Sequence, residues 1–268
     1  VLSAPSARAT VEDAWLAANE NGEYQYRTAI QQITRPLPKL INVGLSSKEQ
    51  YFYLEGEINV PNDLMQMRLW SQNGSTLNTQ DGVEIKIEQG EAMGRVGDGA
   101  WETVEDFSES FAPGGDPLGF LNAAVDIQYL GTEVRELPWL SETGDGGLYY
   151  DRYSFEIDGL AYAKYMRQKM QEELQRKGEL PAGMQLDLVR HYIDMTGKGE
   201  IWIDAAGLPL RQTVNLTFPP SENERVEAEI KTDFHSWGAS DQQAAGFFGF
   251  PALRYTAASL NNGLDDVQ

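Results

Sequence analysis

His191 and His235 are the only imidazoles in a chain of 268 residues that has no cysteine. A thiol nucleophile, a disulfide framework and a thiolate metal site are therefore excluded. Neither histidine stands in a serine or aspartate arrangement of the kind a triad needs, so both read as structural or surface residues rather than general bases. Glu55 with Glu57, and Asp106 with Glu109, have the residue type of a glycosidase couple. With 41 acidic residues in the chain, such pairs arise from composition alone. Asp98-Gly99 and Asp145-Gly146 lack the further oxygen ligands of a calcium loop. The glycines fall in turns rather than between a strand and a helix, so no phosphate cradle is encoded. The expectation is a protein with no catalytic residues, no metal and no cofactor.

Charge narrows the partners. Against the 41 acidic residues stand 21 basic ones, a formal net charge of −20. That balance disfavours a nucleic-acid backbone or an anionic membrane surface as the main partner. No apolar run approaches the roughly 18 residues needed to span a bilayer. The sequence opens at Val1 rather than at a methionine. It reads as a processed or excised piece, whose signal sequence or lipid-bearing cysteine would lie before it.

The elements that would position any site are mostly strands. Thr10 is placed to cap a short helix with Val11, Ala14, Trp15 and Ala18 on one face, ended by Asn21-Gly22. From Glu23 the period changes to two, with Tyr24, Tyr26, Thr28 and Ile30 on one face. Pro36 and Pro38 break that run. A strand over about 50–60 follows, with Phe52, Leu54, Ile58 and Val60 inward and Gly56 marking a bend or bulge. Met65, Met67 and Leu69, then Val83, Ile85 and Ile87, alternate in turn, with Asn73-Gly74 and Asp81-Gly82 as turns. This pattern is an antiparallel meander. A hairpin around Asp98-Gly99 leads into a loop over 107–115. Asp116-Pro117 then reads as the start of a helix carrying Leu118, Leu121, Ala124 and Val125 and ending by Gly131. After an acidic, glycine-rich stretch at 142–147, Tyr149, Tyr153, Phe155 and Ile157 form one strand face. An amphipathic helix over about 160–177 carries Leu160, Ala163, Met166, Met170 and Leu174, closed by Gly178 and Pro181.

The sharpest pattern comes next. Gly199-Glu-Ile-Trp-Ile-Asp204 and Gly207-Leu-Pro-Leu-Arg211 read as two strands around a turn, continued by Val214, Leu216 and Phe218. Trp202 and Arg211 form a cross-strand packing pair in this reading. Val226, Ala228, Ile230, Thr232 and Phe234 alternate on a last strand. No boundary appears before about Gly238, so residues 1–238 are read as one domain and 239–268 as an extension or linker, with a further domain beyond Gln268.

That order of elements, with Gly-x-Ile-Trp-Ile-Asp and Gly-Leu-Pro-x-Arg, resembles the LolA/LolB and LppX/LprG-like families over roughly residues 10–238. The resemblance implies an α+β, mainly β fold: a strongly curved, unclosed antiparallel sheet, or half-barrel, with helices covering its concave face. It also implies an extracytoplasmic protein that holds a lipid, or the acyl chain of an acylated protein, in a hydrophobic cavity, with peripheral membrane contact. No lipid-anchor cysteine of the mycobacterial form is present.

Thioether and aliphatic side chains adapt to irregular acyl chains. The candidate cavity residues are Phe52, Leu54, Ile58, Met65, Met67, Leu69, Leu121, Met166, Met170, Val214, Leu216 and Phe218. Taken singly each is an ordinary core residue, so the cavity is a property of the set. The loops around Gly114 and Gly146 would be its entrances. The alternative expectation is a structural or interaction β-domain of a larger cell-surface protein, its concave face filled by its own side chains.

Overall fold

The computed structural model describes residues 6–62, 64–72, 82–88, 91–103, 117–135, 148–176, 178–181 and 183–238. The sequence readings for Asn73-Gly74, Asp81, Asp106 with Glu109, 107–115, Asp116, 142–147 and 239–268 lie outside these residues. So do the suggested entrances at Gly114 and Gly146.

One open antiparallel sheet organises the chain. Its strands are β1 (Glu23–Pro36), β2 (Lys48–Asn59), β3 (Leu64–Gln72), β4 (Val83–Glu88), β5 (Glu91–Val96), β6 (Glu102–Thr103), β7 (Ala124–Arg135), β8 (Leu148–Asp158), β9 (Thr196–Asp204), β10 (Pro209–Thr217) and β11 (Glu224–His235). The order across the sheet is β6-β5-β4-β3-β2-β1-β11-β10-β9-β8-β7. Two meanders thus run outward from a central β1–β11 pair, and β6 and β7 are edges that never meet, so the sheet is not a closed barrel. Among the described residues the helices are α1 (Ala7–Asn21), α2 (Gly159–Arg176) and the single turn α3 (Arg190–Ile193).

Alternation assigns the two faces. Leu69, Leu54, Thr28, Thr232, Gln212, Ile201 and Tyr153 follow one another across seven strands as register partners on the inner face. The helices pack on this face, α1 against β7, β9 and β10 and α2 against β8. The polar members of the row find partners locally, except that the side-chain oxygen of Gln212 is buried without one. The Thr28 and Thr232 hydroxyls pair at 2.9 Å, and the Gln212 amide donates to the Pro117 carbonyl at 3.0 Å, tying the turn before β7 to the sheet.

The outer face carries charge and rings. Arg211 stacks its guanidinium 4.6 Å from the Trp202 ring, and Tyr150 stacks on the same indole at 4.6 Å. The cross-strand pair read from the sequence is therefore real, with Tyr150 as its third member. Asp204 builds the β9–β10 turn, its carboxylate accepting from the Ala206 and Leu208 amides at 2.9 and 2.8 Å while Gly207 takes φ 84°.

Four readings need correction. The cap of α1 is Ser6, whose hydroxyl accepts from the Ala9 amide; Thr10 lies inside the helix and bonds back to the Ser6 carbonyl. Residues 119–123 form one 3-10 turn rather than a helix, and Ala124 and Val125 already belong to β7, because pairing with Ile157 and Glu156 outweighs local helical spacing. Gly131 does not end a segment but sits in β7 at φ 135°, beside a register irregularity. Gly56 makes no bulge: register runs through it to Tyr26 and Met67 without a shift. Its role is close approach, since a Cβ there would lie 2.3 Å from the Tyr26 ring. Tyr149 keeps the strand face read for it, in phase with Tyr153 and Phe155, but at the strand end it is 64% exposed, and Tyr150 is the buried ring on the opposite face.

Candidate functional site

The inner face divides into two apolar clusters. The larger is filled from both layers: Val11, Ala14 and Ala18 of α1, Tyr162 and Met166 of α2, Phe120 and Leu118 of the 3-10 segment, and Tyr26, Phe155, Ile201, Val214, Leu216 and Phe234 of the sheet. Close packing is built into the backbone here. The Phe155 ring lies where a Cβ on Gly199 would be, 2.2 Å away, and Leu216 and Ile157 crowd the Cβ position of Gly197. The smaller cluster has Leu54, Met67, Leu69 and Ile85 buried, with Ile30, Phe52, Met65, Val83 and Ile87 packed against them. Every member comes from β1–β4, and among the described residues no helix contributes a side chain.

The twelve candidate residues therefore do not share one space. Phe52, Leu54, Met65, Met67 and Leu69 belong to the strand-only cluster. Met166, Val214 and Leu216 are buried in the two-layer cluster, with Leu121, Ile58 and Phe218 packed at its margin. Met170 lies one turn further along α2, half-buried, in neither cluster.

Tyr26 stands at the border between the clusters. Its ring lies over Gly56, and register places Met67 across from that glycine, with Leu54 and Ile58 two residues to either side. The phenol oxygen is buried without a hydrogen-bond partner, and burial drives its pKa upward, so the group is neutral across the physiological range. Sequence reasoning placed Tyr26 on the inward face but gave it no role; the only signal was a tyrosine opposite a glycine in the strand pairing.

Among the described residues the two histidines and Glu55 have ring, hydrogen-bond or ionic partners. His191 stacks on Phe218 with ring centres 4.4 Å apart, and burial holds its pKa below the ordinary imidazole value. Burial, with the Arg27 guanidinium adding to it and Asp233 opposing, pushes His235 down to about 4. Glu55 pairs with Arg27 at 3.3 Å on the outer face. Among the described residues no group of three or more His, Asp or Glu side chains could hold a metal ion, and no helix is long and apolar enough to cross a membrane. A hollow of about 650 Å³ lies away from the helices, in the β1–β2 connection, lined by Pro36, Leu37, Leu40, Val43, Leu45 and their neighbours.

No protein-family model matches this chain, and no curated protein matches it. Two solved structures are similar in outline. A DUF1329 family protein from Desulfovibrio piger ATCC 29098 shares 9% identity over 89% of this chain and 95% of its own, with a TM-score of 0.28. A beta-barrel-like protein of domain of unknown function DUF1849 from Brucella abortus shares 7% identity over 79% of this chain and 98% of its own, with a TM-score of 0.23.

Proposed function

We propose that this open β-sheet binds an apolar ligand, a lipid or the acyl chain of an acylated protein, on the inner face of β1–β4, as an extracytoplasmic carrier without catalytic activity. The observation that supports this reading is the strand-only cluster. A single sheet layer does not build a core by itself, because an apolar face must be buried against a second layer. In the other half of the sheet α1 and α2 supply that layer. Over β1–β4 the centre of the cluster, Leu54, Met67, Leu69 and Ile85, is already covered, so in this reading the ligand seats on its half-buried members Ile30, Phe52, Met65, Val83 and Ile87, with Tyr26 as the wall toward the packed core. Met65 and Met67 give the face adaptable side chains suited to a flexible chain.

The test is uptake of a fluorescent long-chain fatty acid by delipidated protein, with native mass spectrometry of the purified protein for a co-purifying lipid. Phe52→Trp and Met65→Trp, both at half-buried positions of the strand-only cluster, are expected to reduce uptake about tenfold by filling the face. Met170→Trp is expected to leave it unchanged. A clean unliganded mass together with no uptake would overturn the reading.

One observation favours a second reading, a structural or interaction domain. Rings seated on Gly56 and Gly199 show that the chain fills much of its inner face with its own side chains. Under that reading Phe52→Trp and Met65→Trp lower stability and nothing else.

A further inference from the structure

Residues 37–47, which join β1 to β2, display four aliphatic side chains to solvent: Leu40 is 94% exposed, Ile41 74%, Val43 79% and Leu45 64%. Single exposed leucines are ordinary, but four within six residues form a contiguous patch that needs a partner. The loop is firmly held. The Asn42 amide donates to the Leu37 and Asn223 carbonyls, both at 2.7 Å, and the Leu37 amide donates to Asn223 at 2.8 Å. The Lys39 ammonium donates to the Glu222 carbonyl, and the Val43 and Leu45 amides bond back to Leu40 and Asn42. With its backbone tied inward, the connection cannot collapse to hide its aliphatic side chains.

Charge sorts in the same direction. The chain carries 41 acidic residues, yet none occurs from Tyr24 through Lys48, a stretch that holds Arg27, Arg35, Lys39 and Lys48. Arg27 and Arg35 are engaged by Glu55 and Glu227. Exposed Lys39 and Lys48 flank the aliphatic tip. Three carboxylates lie close by, Glu49 beside Lys48 and Glu222 and Glu224 in the turn that holds Leu37 and Lys39, so a surface meets an aliphatic tip whose two lysines are partly offset by acidic neighbours.

We propose that this loop docks the protein onto a phospholipid bilayer, with Leu40, Ile41, Val43 and Leu45 entering the acyl region and Lys39 and Lys48 at the depth of the lipid phosphates. A protein partner fits the patch less well. One loop of eleven residues falls short of the roughly 20–30 residues a side of a stable interface. It also offers no aromatic or arginine anchor of the kind that dominates such interfaces. A fluid bilayer needs no shape complementarity, and aliphatic tips collared by lysine match its polarity gradient. The proposal does not depend on a ligand on the inner face.

The experiment is flotation of the full chain with phosphatidylcholine vesicles, with and without phosphatidylglycerol. It is repeated for the triple variant Leu40→Ser, Ile41→Ser, Val43→Ser, whose unfolding midpoint is checked against wild type. Wild type is expected to float with both vesicle types, and the triple variant to lose about 100-fold in partitioning, since three buried aliphatic groups are removed. Wild type remaining with the unbound fraction would overturn the proposal. So would a triple variant that floats as well as wild type. Self-association in sedimentation that the triple variant abolishes, without vesicle binding, would assign the patch to a second copy of the chain instead.

Discussion

Gly56→Ala separates a filled inner face from an empty one. A Cβ at this position would stand 2.3, 2.4 and 2.5 Å from Cζ, OH and Cε1 of Tyr26. Ordinary contact begins near 3.4 Å, so the ring must retreat by about 1 Å or the strands must part. Tyr26 is 1% exposed and has Tyr24 against it, with ring centres 6.4 Å apart, so retreat displaces other packed groups. Overpacking of this kind costs about 1–3 kcal/mol, and replacing a strand glycine by alanine returns about 0.5–1 kcal/mol. The expected net loss is about 1 kcal/mol, a midpoint lowered by about 2–4 °C for a domain of this size. Urea unfolding followed by the fluorescence of the six tryptophans measures it.

Tyr26→Ala supplies the control. With the ring gone, Gly56→Ala is expected to be neutral or slightly stabilising, so the double-mutant cycle should return a coupling of about 2 kcal/mol. If Gly56→Ala alone stays within about 0.5 kcal/mol of wild type, the ring has free space to move into. The reasoning that Tyr26 walls off a packed core is then refuted.

Other perturbations test single links of the argument. His235 sits near 4 in the folded chain against an ordinary 6.5, so the unfolded state binds the extra proton between those values. Its contribution to stability is complete above pH 6.5 and is lost as pH falls toward 4, up to about 3 kcal/mol. His235→Gln should flatten that part of the stability profile relative to wild type, and parallel profiles would refute the assignment. Asp204→Ala removes the acceptor of two turn amides and is expected to cost about 1–2 kcal/mol in the same urea assay. Ser6→Ala should cost about 1 kcal/mol as the loss of a helix cap, and Thr10→Ala clearly less; the reverse order would restore Thr10 as the cap.

Strand faces were legible wherever alternation was unbroken. Tyr24-x-Tyr26-x-Thr28 and Met65-x-Met67-x-Leu69 fall on the inner face as read, and Ile201 and Ile203 face in while Trp202 faces out. β7 was missed because its period is interrupted. Asp126 takes φ 51°, and register shifts fall between Val125 and Gln128 and between Tyr129 and Gly131. A run with those defects shows less alternation than the helical spacing of Leu118 and Leu121 just before it. The division of the inner face was beyond any periodicity argument, since Met67 and Met166 are equally apolar and equally periodic. What separates them is which element lies opposite, a property of tertiary packing. The 37–47 connection went unread for a related reason. Its prolines announce a break, but exposure of Leu40 and Ile41 follows from Asn42 and Lys39 anchoring the backbone to the β10–β11 turn some 180 residues later.

The two proposals meet on the same pair of strands. β1 and β2 carry Ile30, Phe52 and Leu54 of the strand-only cluster, and their connection carries the aliphatic tip. A ligand with long acyl chains is nearly insoluble, so its route to an apolar face begins in a bilayer. A docked tip would bring that face within one strand length of the lipid. The consequence can be measured. The triple variant Leu40→Ser, Ile41→Ser, Val43→Ser should slow transfer of a fluorescent lipid from vesicles to the protein about 100-fold, in step with its lost partitioning. Uptake of a short-chain probe dissolved in buffer should remain at the wild-type level, because no residue of the inner face is changed. Loss of both would mean that the loop supports the binding face itself. Retention of vesicle transfer would mean that lipid reaches the sheet without docking at this tip.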